Sequence, residues 1–429
     1  MLDIRIIREN PDAVRERVKS RGGDAWKLID ELLECDEVRR KGETEKQQLQ
    51  NERKTESKKI GALKKAGEDT SAVEAAMREI GDRIKEIGDK VDAVDARQRE
   101  LLLGIPNMPH PDCPVGSDET ANPEIRTWGE KPQIESPRDH VDLGTSLGIL
   151  DFESAVKISG SGFIVFRGAG AKLERALINF LLDLHTTQHG YTEVGVPFVV
   201  NRDCMTGTGQ LPKFEEDMYG TENNELFLAP TAEVPVTNLK RDEIVAQDDL
   251  PMHMVAYTPC FRREAGSAGR ESKGLIRMHQ FDKVELVKIE HPDHSYDALE
   301  KLTANAERVL QLLGLHYRVI ELCTGDIGAS AAKTYDIEVW APGHGAYLEV
   351  SSCSNFEDYQ ARRMGLRFKD KETKKNVFCH TLNGSGTALP RLYVALLETY
   401  QQPDGSIKIP EALQPYFGAD SILSSSKDR

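Results

Sequence analysis

A heptad repeat on a long helical segment constrains this chain more than any other feature of its sequence. Apolar residues recur there with alternating spacings of four and three, and only the polar Gln98 interrupts the series, just before its last member. Such spacing keeps one apolar stripe along a helix and is typical of a coiled-coil seam. The seam residues are Val73, Met77, Ile80, Ile84, Ile87, Val91, Val94 and Leu101.

A second helical segment precedes this seam helix. Residues 26–65 contain no proline, are rich in charge, and are joined to the seam helix by the short stretch 66–70. At a rise of about 1.5 Å per residue, this first helix is roughly 55–60 Å long, which is longer than a compact domain is wide. The sequence therefore predicts an antiparallel helical hairpin that projects as an arm.

The tip of the predicted arm is locally basic. Its cations have Glu56 among them as the opposing charge, whereas the stem mixes both signs. Charge runs on a coiled coil are most often solvated outer faces, and composition alone favours that interpretation. Contact with RNA is the alternative that the charge suggests. The cations are Arg53, Lys54, Lys58, Lys59, Lys64 and Lys65.

The chain as a whole is acidic, with a net charge of −15. A general polyanion binder needs clustered Lys and Arg, so any nucleic acid must meet a local basic surface. No apolar run approaches the ~18 residues of a membrane span, and the N-terminus has no apolar signal-peptide core. The seven cysteines are scattered and never form a C-x-x-C motif. We therefore expect a reduced, cytoplasmic protein that does not enter a membrane.

Prolines separate the arm from the rest of the chain. Helix cannot continue through residues 105–111, and a polar linker follows at about 106–139. We therefore expect an arm domain at 1–110 and a second domain at 111–429. Alternating apolar strands at 252–258 and 347–350 and amphipathic helices at 172–188 and 296–313 predict an α+β fold with a largely antiparallel sheet. The tail at 424–429 is expected to fray.

Residues that suit a nucleotide lie in two segments of this second domain. The chain has neither a G-x-x-x-x-G-K-[ST] phosphate loop nor a dinucleotide fingerprint, so side chains must hold any nucleotide. The sequence Phe-Arg-Arg-Glu at 261–264 precedes a Gly/Ser/charge-rich loop at 265–274 and the segment Arg-Met-His-Gln-Phe-Asp-Lys-Val-Glu at 277–285. This layout predicts two strands joined by a mobile loop.

Strand alternation then predicts which side chains share a face. Arg262 and Glu264 would point to one side, and Phe281 and Glu285 would share a side of the returning strand. Guanidinium, carboxylate and aromatic groups together suit a nucleotide and an ammonium-bearing substrate. A hairpin that carries surface ion pairs is the alternative.

The two segments resemble motif 2 of the class II aminoacyl-tRNA synthetases, which has the form F-R-x-E, loop, R-x-x-x-F. The helix that contains Arg175, followed by residues 190–197, resembles motif 1, the dimer-forming helix and strand that end in proline. Residues 383–391 resemble motif 3, whose arginine is Arg391 here. Motifs in this order imply ATP as a substrate, a catalytic domain built on an antiparallel sheet, and a homodimer.

Three further segments resemble the bacterial seryl-tRNA synthetases within this class: residues 206–214, 231–233 and 349–355. Only 38 residues follow Arg391, too few for the C-terminal anticodon-binding domain of the threonyl, prolyl, glycyl and histidyl relatives. The resemblance implies ATP-dependent attachment of L-serine to tRNA(Ser) through seryl-adenylate, and to tRNA(Sec) where that tRNA exists. It also implies that the N-terminal arm binds the tRNA.

The resemblance assigns roles residue by residue. Arg262, Arg391 and Glu349 would be catalytic, and Arg262 would bridge the carboxylate of serine and the α-phosphate. Glu349 and Ser352 would ligate Mg²⁺. The predicted ATP contacts are Arg262, Arg263, Glu264, Arg277, Met278, Phe281, Glu349, Val350, Ser351, Ser352 and Arg391. The predicted serine contacts are Thr231, Ala232, Glu233, Arg262, Glu285, Asn383 and Ser385.

The sequence departs from the family pattern at three positions. Ala388 stands where the fuller motif 3 has a glycine, Leu348 replaces a residue that is often basic, and Arg263 adds a cation inside motif 2. No zinc is expected, because no cysteine lies at ligand spacing from His291 and His294. A serine-activating paralogue that loads a carrier protein and an inactive RNA-binding coiled-coil protein are the alternatives to the synthetase.

Overall fold

The chain forms two compact units, Met1–Pro106 and Asn107–Arg429, in a computed structural model that describes residues 1–265 and 273–423. The loop predicted at 265–274 therefore lies mostly outside the described residues, and the tail predicted at 424–429 lies wholly outside them. Among the helices of the described ranges, none is long and apolar enough to cross a membrane.

The first unit is an arm of four helices, two short and two long. α3 has 39 residues and α4 has 34, and the two pack against each other. Gly67 follows α3 with a φ of 73°, a left-handed conformation that turns the chain into the hairpin. The predicted helical hairpin is confirmed. The helices are α1 (Ile4–Glu9), α2 (Pro11–Lys19), α3 (Leu28–Ala66) and α4 (Ser71–Gly104).

The heptad seam of α4 faces α3. Val91 and Leu101 are buried, and the seam residues nearer the turn are partly buried. Gln98 takes a seam position with 6% of its surface exposed, and its Oε1 atom has no hydrogen-bond partner. Ion pairs flank the seam and join the two helices: Glu31 with Arg97 at 2.7 Å, Glu45 with Arg83 at 2.8 Å, and Glu74 with Lys64 at 3.1 Å.

The six cations at the tip of the arm are all exposed. Lys59 pairs with Glu56 at 2.5 Å, as the sequence suggested. Lys64 pairs with Glu74, which approaches from the other helix, so Glu56 is not the only opposing charge. Because the lysine of each pair is well exposed, each pair contributes little to stability, and the cations keep access to solvent.

A glycine on α3 marks a close approach of the two long helices. A Cβ atom built on Gly42 would lie 2.5 Å from Cγ2 of Val91, whereas one on Gly61 would meet no atom within 4 Å. We expect Gly42→Ala to destabilise the arm by about 1–3 kcal/mol, because Val91 must shift. The control Gly61→Ala should stabilise it by about 0.5–1 kcal/mol, because alanine favours a helix. Thermal unfolding followed by circular dichroism measures both, and shifts of the same sign would contradict close packing at Gly42.

Helices of the second unit pack mainly around one large sheet. α7 and α10 match the amphipathic helices predicted at 172–188 and 296–313. The helices are α5 (His140–Ser146), α6 (Phe152–Ser159), α7 (Ala169–Thr187), α8 (Arg202–Thr208), α9 (Glu233–Thr237), α10 (Ser295–Leu312), α11 (Tyr359–Met364), α12 (Leu389–Tyr400) and α13 (Gln414–Phe417).

The strands of this unit include both segments that alternation predicted, at 252–258 in β8 and 347–350 in β12. They are β1 (Glu124–Trp128), β2 (Leu150–Asp151), β3 (Val165–Phe166), β4 (Thr192–Glu193), β5 (Val199–Asn201), β6 (Leu226–Leu228), β7 (Ile244–Ala246), β8 (Met252–Phe261), β9 (Gln280–Glu290), β10 (Tyr317–Glu321), β11 (Lys333–Ala341), β12 (Ala346–Asn355), β13 (Arg367–Lys369), β14 (Asn376–Phe378), β15 (His380–Ala388), β16 (Ile407–Lys408) and β17 (Ser421–Ile422).

Eight of these strands form one sheet in the order β1-β10-β11-β12-β15-β9-β8-β4. Every neighbouring pair is antiparallel except β4 with β8 at one edge. The predicted α+β fold with a largely antiparallel sheet is therefore confirmed. Smaller sheets join β7 to β13 and β14, β5 to β6, β2 to β3, and β16 to β17.

The stretch predicted as a polar linker contains part of this sheet. β1 lies within residues 106–139 and pairs with β10 at the edge of the sheet. Most of its side chains are exposed, so the strand lacks the apolar alternation that reveals a half-buried strand. Upstream, the side chain of Asn107 donates hydrogen bonds to the carbonyls of Ser330 at 3.0 Å and Phe356 at 2.9 Å.

The main core lies on one face of the sheet, under α7, α10 and α12. Central strand β9 contributes Val284 and Leu286 to it, and both are fully buried. Because side chains alternate along a strand, Phe281, Lys283 and Glu285 point to the opposite face. That face closes again further along β9, where Val287 and Ile289 pack into a second apolar cluster. A short stretch of β9 therefore leaves polar side chains facing an open space.

Candidate active site

A cavity of about 590 Å³ opens on the face of the sheet that the main core leaves free. Strands β9, β12 and β15 supply its floor, and the segment from 210 to 233 lines one side. Thirteen of the residues predicted to bind ATP or serine line it. They are Thr231, Glu233, Arg262, Glu264, Arg277, Met278, Phe281, Glu285, Glu349, Ser352, Asn383, Ser385 and Arg391.

The prediction that Arg262 and Glu264 share one face of a strand is wrong, because β8 ends at Phe261. The amide of Arg262 still donates to the carbonyl of His279 at 2.9 Å, but the amide of Arg263 turns to the carbonyl of Asp217 at 2.8 Å. Glu264 then has a φ of 54°, in the left-handed region. The two side chains reach the same cavity through this turn and not through a continuous strand.

Asp217 supports the turn, although the sequence did not predict this role. Its Oδ1 atom accepts a hydrogen bond from the amide of Ala265 at 2.8 Å, while its carbonyl accepts from Arg263. Two contacts from one residue thus hold the chain on either side of Glu264. No local motif signals this role, because Asp217 is distant in sequence from the strands that it supports.

The cations of motif 2 are held by neighbouring groups. Nε of Arg262 donates to the carbonyl of Pro230 at 3.2 Å, and its guanidinium lies 5.2 Å from the ring centroid of Phe281. Arg277 donates a hydrogen bond to the carboxylate of Glu264. Arginine, carboxylate and aromatic ring therefore converge as the sequence predicted, with the arginine side chains constrained by fixed partners.

A β-bulge aims two oxygen-bearing side chains of β12 at the cavity. Ile337 of β11 pairs with Ser351, whereas the next residue, Glu338, pairs with Glu349, which leaves Val350 as an extra residue. The bulge shifts the alternation by one, so Glu349 and Ser352 can both face the cavity although they are three residues apart. Sequence alternation alone would have put them on opposite faces.

Motif 3 places Arg391 beside Glu349. α12 begins at Leu389 with a proline in its first turn, and Arg391 follows. Its Nη1 atom donates to the carbonyl of Glu349 at 2.8 Å and to Oε2 of the same residue at 3.3 Å. Its Nε atom donates to the carbonyl of Ile276 at 3.2 Å. The arginine is thereby fixed between motif 2 and β12.

A compact group of polar side chains surrounds Glu285 in the deep part of the cavity. Nζ of Lys283 lies 2.5 Å from Oε2 of Glu285, and both side chains are almost completely buried. Nδ2 of Asn383 donates to Oε1 at 3.0 Å, and Oγ of Ser385 donates to Oε2 at 3.4 Å. Lys283 was not among the residues predicted from the sequence. Its place between Phe281 and Glu285, on the same strand face, was the signal that could have revealed it.

Glu233 is the second buried carboxyl of this region and the first residue of α9. Burial raises its pKa to about 7, and the negative charge of Glu285 adds to the rise. Nε2 of Gln360 donates a hydrogen bond to Oε1 of Glu233 at 2.6 Å. Near neutral pH this carboxyl therefore changes readily between its neutral and charged forms.

Four predicted contact residues lie elsewhere. Ala232 packs in the second apolar cluster and Val350 in the main core. Ser351 is buried and donates its hydroxyl to the carbonyl of Ser385 at 2.6 Å. The guanidinium of Arg263 lies 5.6 Å from the ring centroid of Tyr219, and Arg263 is not among the cavity residues. Their neighbours in sequence face the cavity, which is why motif matching included them.

Across the described ranges, no group of three or more His, Cys, Asp or Glu side chains could hold a metal ion. The ring centroids of His291 and His294 are 5.8 Å apart, and the ring centroid of His291 lies 4.8 Å from that of Phe368. Glu349 and Ser352 supply two oxygen atoms at the cavity. Two ligands suit Mg²⁺, which usually takes its other ligands from phosphates and water.

Comparison with known proteins agrees with the geometry. A model of the seryl-tRNA synthetase N-terminal domain matches residues 1–109, and a model of the class II tRNA synthetase core domain (G, H, P, S and T) matches residues 213–400. The serine--tRNA ligase of Akkermansia muciniphila is 70% identical over 98% of this chain and 99% of its own length. That of Geobacter sulfurreducens is 54% identical over 97% and 99%.

Solved structures give the same result. The seryl-tRNA synthetase of Pyrococcus horikoshii complexed with ATP superposes with a TM-score of 0.93 at 39% identity, over 99% of this chain and 100% of its own. The cytoplasmic serine-tRNA ligase of Naegleria fowleri in complex with AMP has a TM-score of 0.87 at 29% identity, over 99% of each chain.

The buried pair of Lys283 and Glu285 leads to a prediction on stability. We expect Lys283→Met to destabilise the second unit by roughly 3 kcal/mol, because it leaves a buried carboxylate without its counter-charge. The double variant Lys283→Met/Glu285→Gln should recover most of the loss. Urea unfolding measures both. The control Lys371→Met, which breaks an exposed pair with Asp248, should change little. A double variant no more stable than Lys283→Met would refute the charge argument.

Proposed function

The chain belongs to the seryl-tRNA synthetase family, and from this premise we propose that it catalyses the ATP-dependent attachment of L-serine to tRNA(Ser) through seryl-adenylate. One observation carries the proposal: a single cavity brings together side chains of motif 2, motif 3 and the Thr-Ala-Glu segment. The relatives that match over almost the whole chain are named as serine--tRNA ligases, and two related structures contain ATP or AMP.

Positioning and charge stabilisation are the main tasks of such a site. The carboxylate of serine attacks the α-phosphorus of ATP, and pyrophosphate leaves, so no protein nucleophile is needed. Arg262 binds the carboxylate and the α-phosphate with its planar guanidinium and aligns them for attack. Its contacts with the Pro230 carbonyl and the Phe281 ring support this role, because a constrained arginine loses less freedom when substrates bind.

The nucleotide binds between motif 2 and motif 3. Adenine stacks on Phe281, and Glu264 and the backbone of Met278 meet its polar edge. Arg277 and Arg391 bind the outer phosphates. The ion pair of Arg277 with Glu264 and the contacts of Arg391 with Glu349 support this arrangement, since they hold two cations at the cavity. Glu349 and Ser352 would hold Mg²⁺, which neutralises charge on the phosphates when bound.

Serine binds in the deep part of the cavity. Its ammonium is bound by Thr231, Glu233 and Glu285. Its hydroxyl is bound by Glu285, Asn383 and Ser385. The network around Glu285 supports this assignment, because it offers buried donors and acceptors. Alanine lacks the hydroxyl and would leave such groups unpaired, at a cost of roughly 1–3 kcal/mol for each.

The arm binds the tRNA that receives the seryl group. Six exposed cations at its tip support this role, because phosphate neutralisation is the main source of affinity for RNA.

We further propose a homodimer through α7 and the edge of the sheet at β4. Phe198 and Val199 near that edge are 41% and 40% exposed. The proposal includes activity toward tRNA(Sec) where that tRNA exists. It also includes a cytoplasmic location, which the name of the Naegleria relative gives for that protein.

The function is tested by serine-dependent exchange of pyrophosphate into ATP, followed by charging of purified tRNA. We expect both activities, and we expect Arg262→Ala to lower exchange by roughly 100-fold or more, because it removes transition-state stabilisation. The neighbouring Arg263→Ala should change exchange by less than about threefold, since Arg263 lies outside the cavity.

The outcomes separate the alternatives. Exchange without tRNA charging would favour a paralogue that loads a carrier protein. No exchange with any amino acid would favour an inactive RNA-binding protein. Equal losses in the Arg262 and Arg263 variants would contradict the roles assigned to these two arginines.

The arm is tested separately by charge reversal. Lys58→Glu combined with Lys65→Glu should raise the KM for tRNA by about tenfold and make it less sensitive to salt, because phosphate contacts are lost. The matched control reverses Lys85 and Lys90, which are exposed on the stem of α4. Exchange, which needs no tRNA, should be unchanged in both. Charging that responds equally to tip and stem variants would refute a tip-specific contact.

A further inference from the structure

The side-chain amide of Gln360 lies behind the serine pocket and is the centre of a buried network. Gln360 belongs to α11 and is 1% exposed. Its Nε2 atom donates to Oε1 of Glu233 at 2.6 Å and to the carbonyl of Thr208 at 3.1 Å. Its Oε1 atom accepts a hydrogen bond from the hydroxyl of Thr381 at 2.7 Å. One amide thus joins α9, the end of α8 and strand β15.

When Glu233 is charged, the network favours one orientation of this amide. With the oxygen toward the Thr381 hydroxyl, the amide nitrogen has two acceptors for its two hydrogen atoms. A rotation by half a turn would set the amide oxygen against the carboxylate of Glu233 and the carbonyl of Thr208. While Glu233 is charged, three acceptors would then meet without a proton in a site where unpaired polar groups are costly. With the Thr381 hydroxyl donating to the amide oxygen, the amide nitrogen therefore faces the charged form of Glu233 as a donor.

We propose that Gln360 is a positioning residue for the substrate ammonium: its amide binds one oxygen of Glu233, fixes that carboxylate at the cavity and favours its charged form. The proposal rests on the proposed function, because it takes the ammonium of serine as the ligand of Glu233. Gln360 itself touches no substrate, since Glu233 and not Gln360 lines the cavity.

The charges around Glu233 show why a donor is needed there. Burial and the charge of Glu285 raise the pKa of Glu233, whereas Gln360, Lys283 and Arg262 lower it, and the result is about 7. The ordinary value is 4.5, so the neutral acid persists in the folded protein well above the usual range. Loss of the Gln360 donor raises the pKa further. At neutral pH the pocket would then present a neutral acid to an ammonium group.

A purely structural role is the competing explanation, because α11 is itself well anchored. Arg363 on the same helix donates to the carbonyls of Thr206 at 3.2 Å and Leu211 at 3.1 Å. If Gln360 only supported this packing, its loss would lower stability and affect all substrates alike. The positioning role instead predicts a selective and pH-dependent effect on serine.

The test is the variant Gln360→Met, which keeps the side-chain volume and removes all three hydrogen bonds. Serine-dependent pyrophosphate exchange of the full chain gives the KM for serine and for ATP between about pH 6 and 8.5. In the unsubstituted protein the KM for serine should fall as pH rises through about 7, since Glu233 ionises there. In the variant it should be about tenfold higher at pH 7 and recover in part toward pH 8.5, with the KM for ATP changed less than about twofold.

Two controls make the result decisive. Gln401→Met removes an amide whose Nε2 donates to the carbonyls of Arg138 and Glu398 and whose Oε1 accepts from an amide, none of them at the cavity. It should leave the KM for serine unchanged at every pH. Thr381→Val removes only the hydroxyl that orients the Gln360 amide. It should raise the KM for serine by about twofold to fourfold with the same pH trend, and it serves if Gln360→Met does not fold.

Several results would overturn the proposal. A KM for serine that is unchanged in both the Gln360 and Thr381 variants would do so. So would equal increases in the KM for serine and for ATP without pH dependence, which would assign Gln360 a structural role. Failure of the proposed function looks different, because the unsubstituted protein would then show no serine-dependent exchange.

Discussion

Side chains alternate along the central strand β9 between the apolar core on one face of the sheet and the cavity on the other. Val284 and Leu286 are completely buried beneath the helices, and this apolar contact fixes the direction of every neighbouring side chain. Phe281, Lys283 and Glu285 must then face the cavity. A shift of one residue in the register would bury two charged groups in the core and expose two aliphatic ones, so the fold and the site depend on the same register.

The cost of burying charge explains how the deep part of the cavity is built. Each carboxylate there has hydrogen-bond donors or a cation, since an isolated buried charge is not tolerated. Glu285 has Lys283, Asn383 and Ser385, whereas the side chain of Glu233 accepts from the neutral Gln360 and has a pKa of about 7. The Glu233 carboxyl is therefore only partly charged near neutral pH. An ammonium-bearing substrate would supply the missing cation, which links binding to ionisation.

The sequence predicted the parts of the structure that local patterns determine. The heptads of α4 and the alternation in β8 and β12 depend on neighbours in sequence, and the structure confirms them. Most of the site residues that the motifs predicted also line the cavity. What sequence could not reveal depends on partners far along the chain: the bulge at Val350, the support of the Glu264 turn by Asp217, and the contact of Gln360 with Glu233. β1 was not predicted because most of its side chains are exposed, so its sequence lacks the apolar alternation of a half-buried strand.

The charge of the chain is also unevenly distributed. A net charge of −15 repels a polyanion at long range, and this repulsion opposes adsorption of RNA to an arbitrary surface. The exposed cations at the tip of the arm reverse the sign locally, so an approaching RNA gains electrostatic energy at that tip. An acidic background with a basic tip would thus favour one orientation of a bound RNA. Added salt should weaken both the repulsion and the attraction, and orientation would then depend on the shape of the arm.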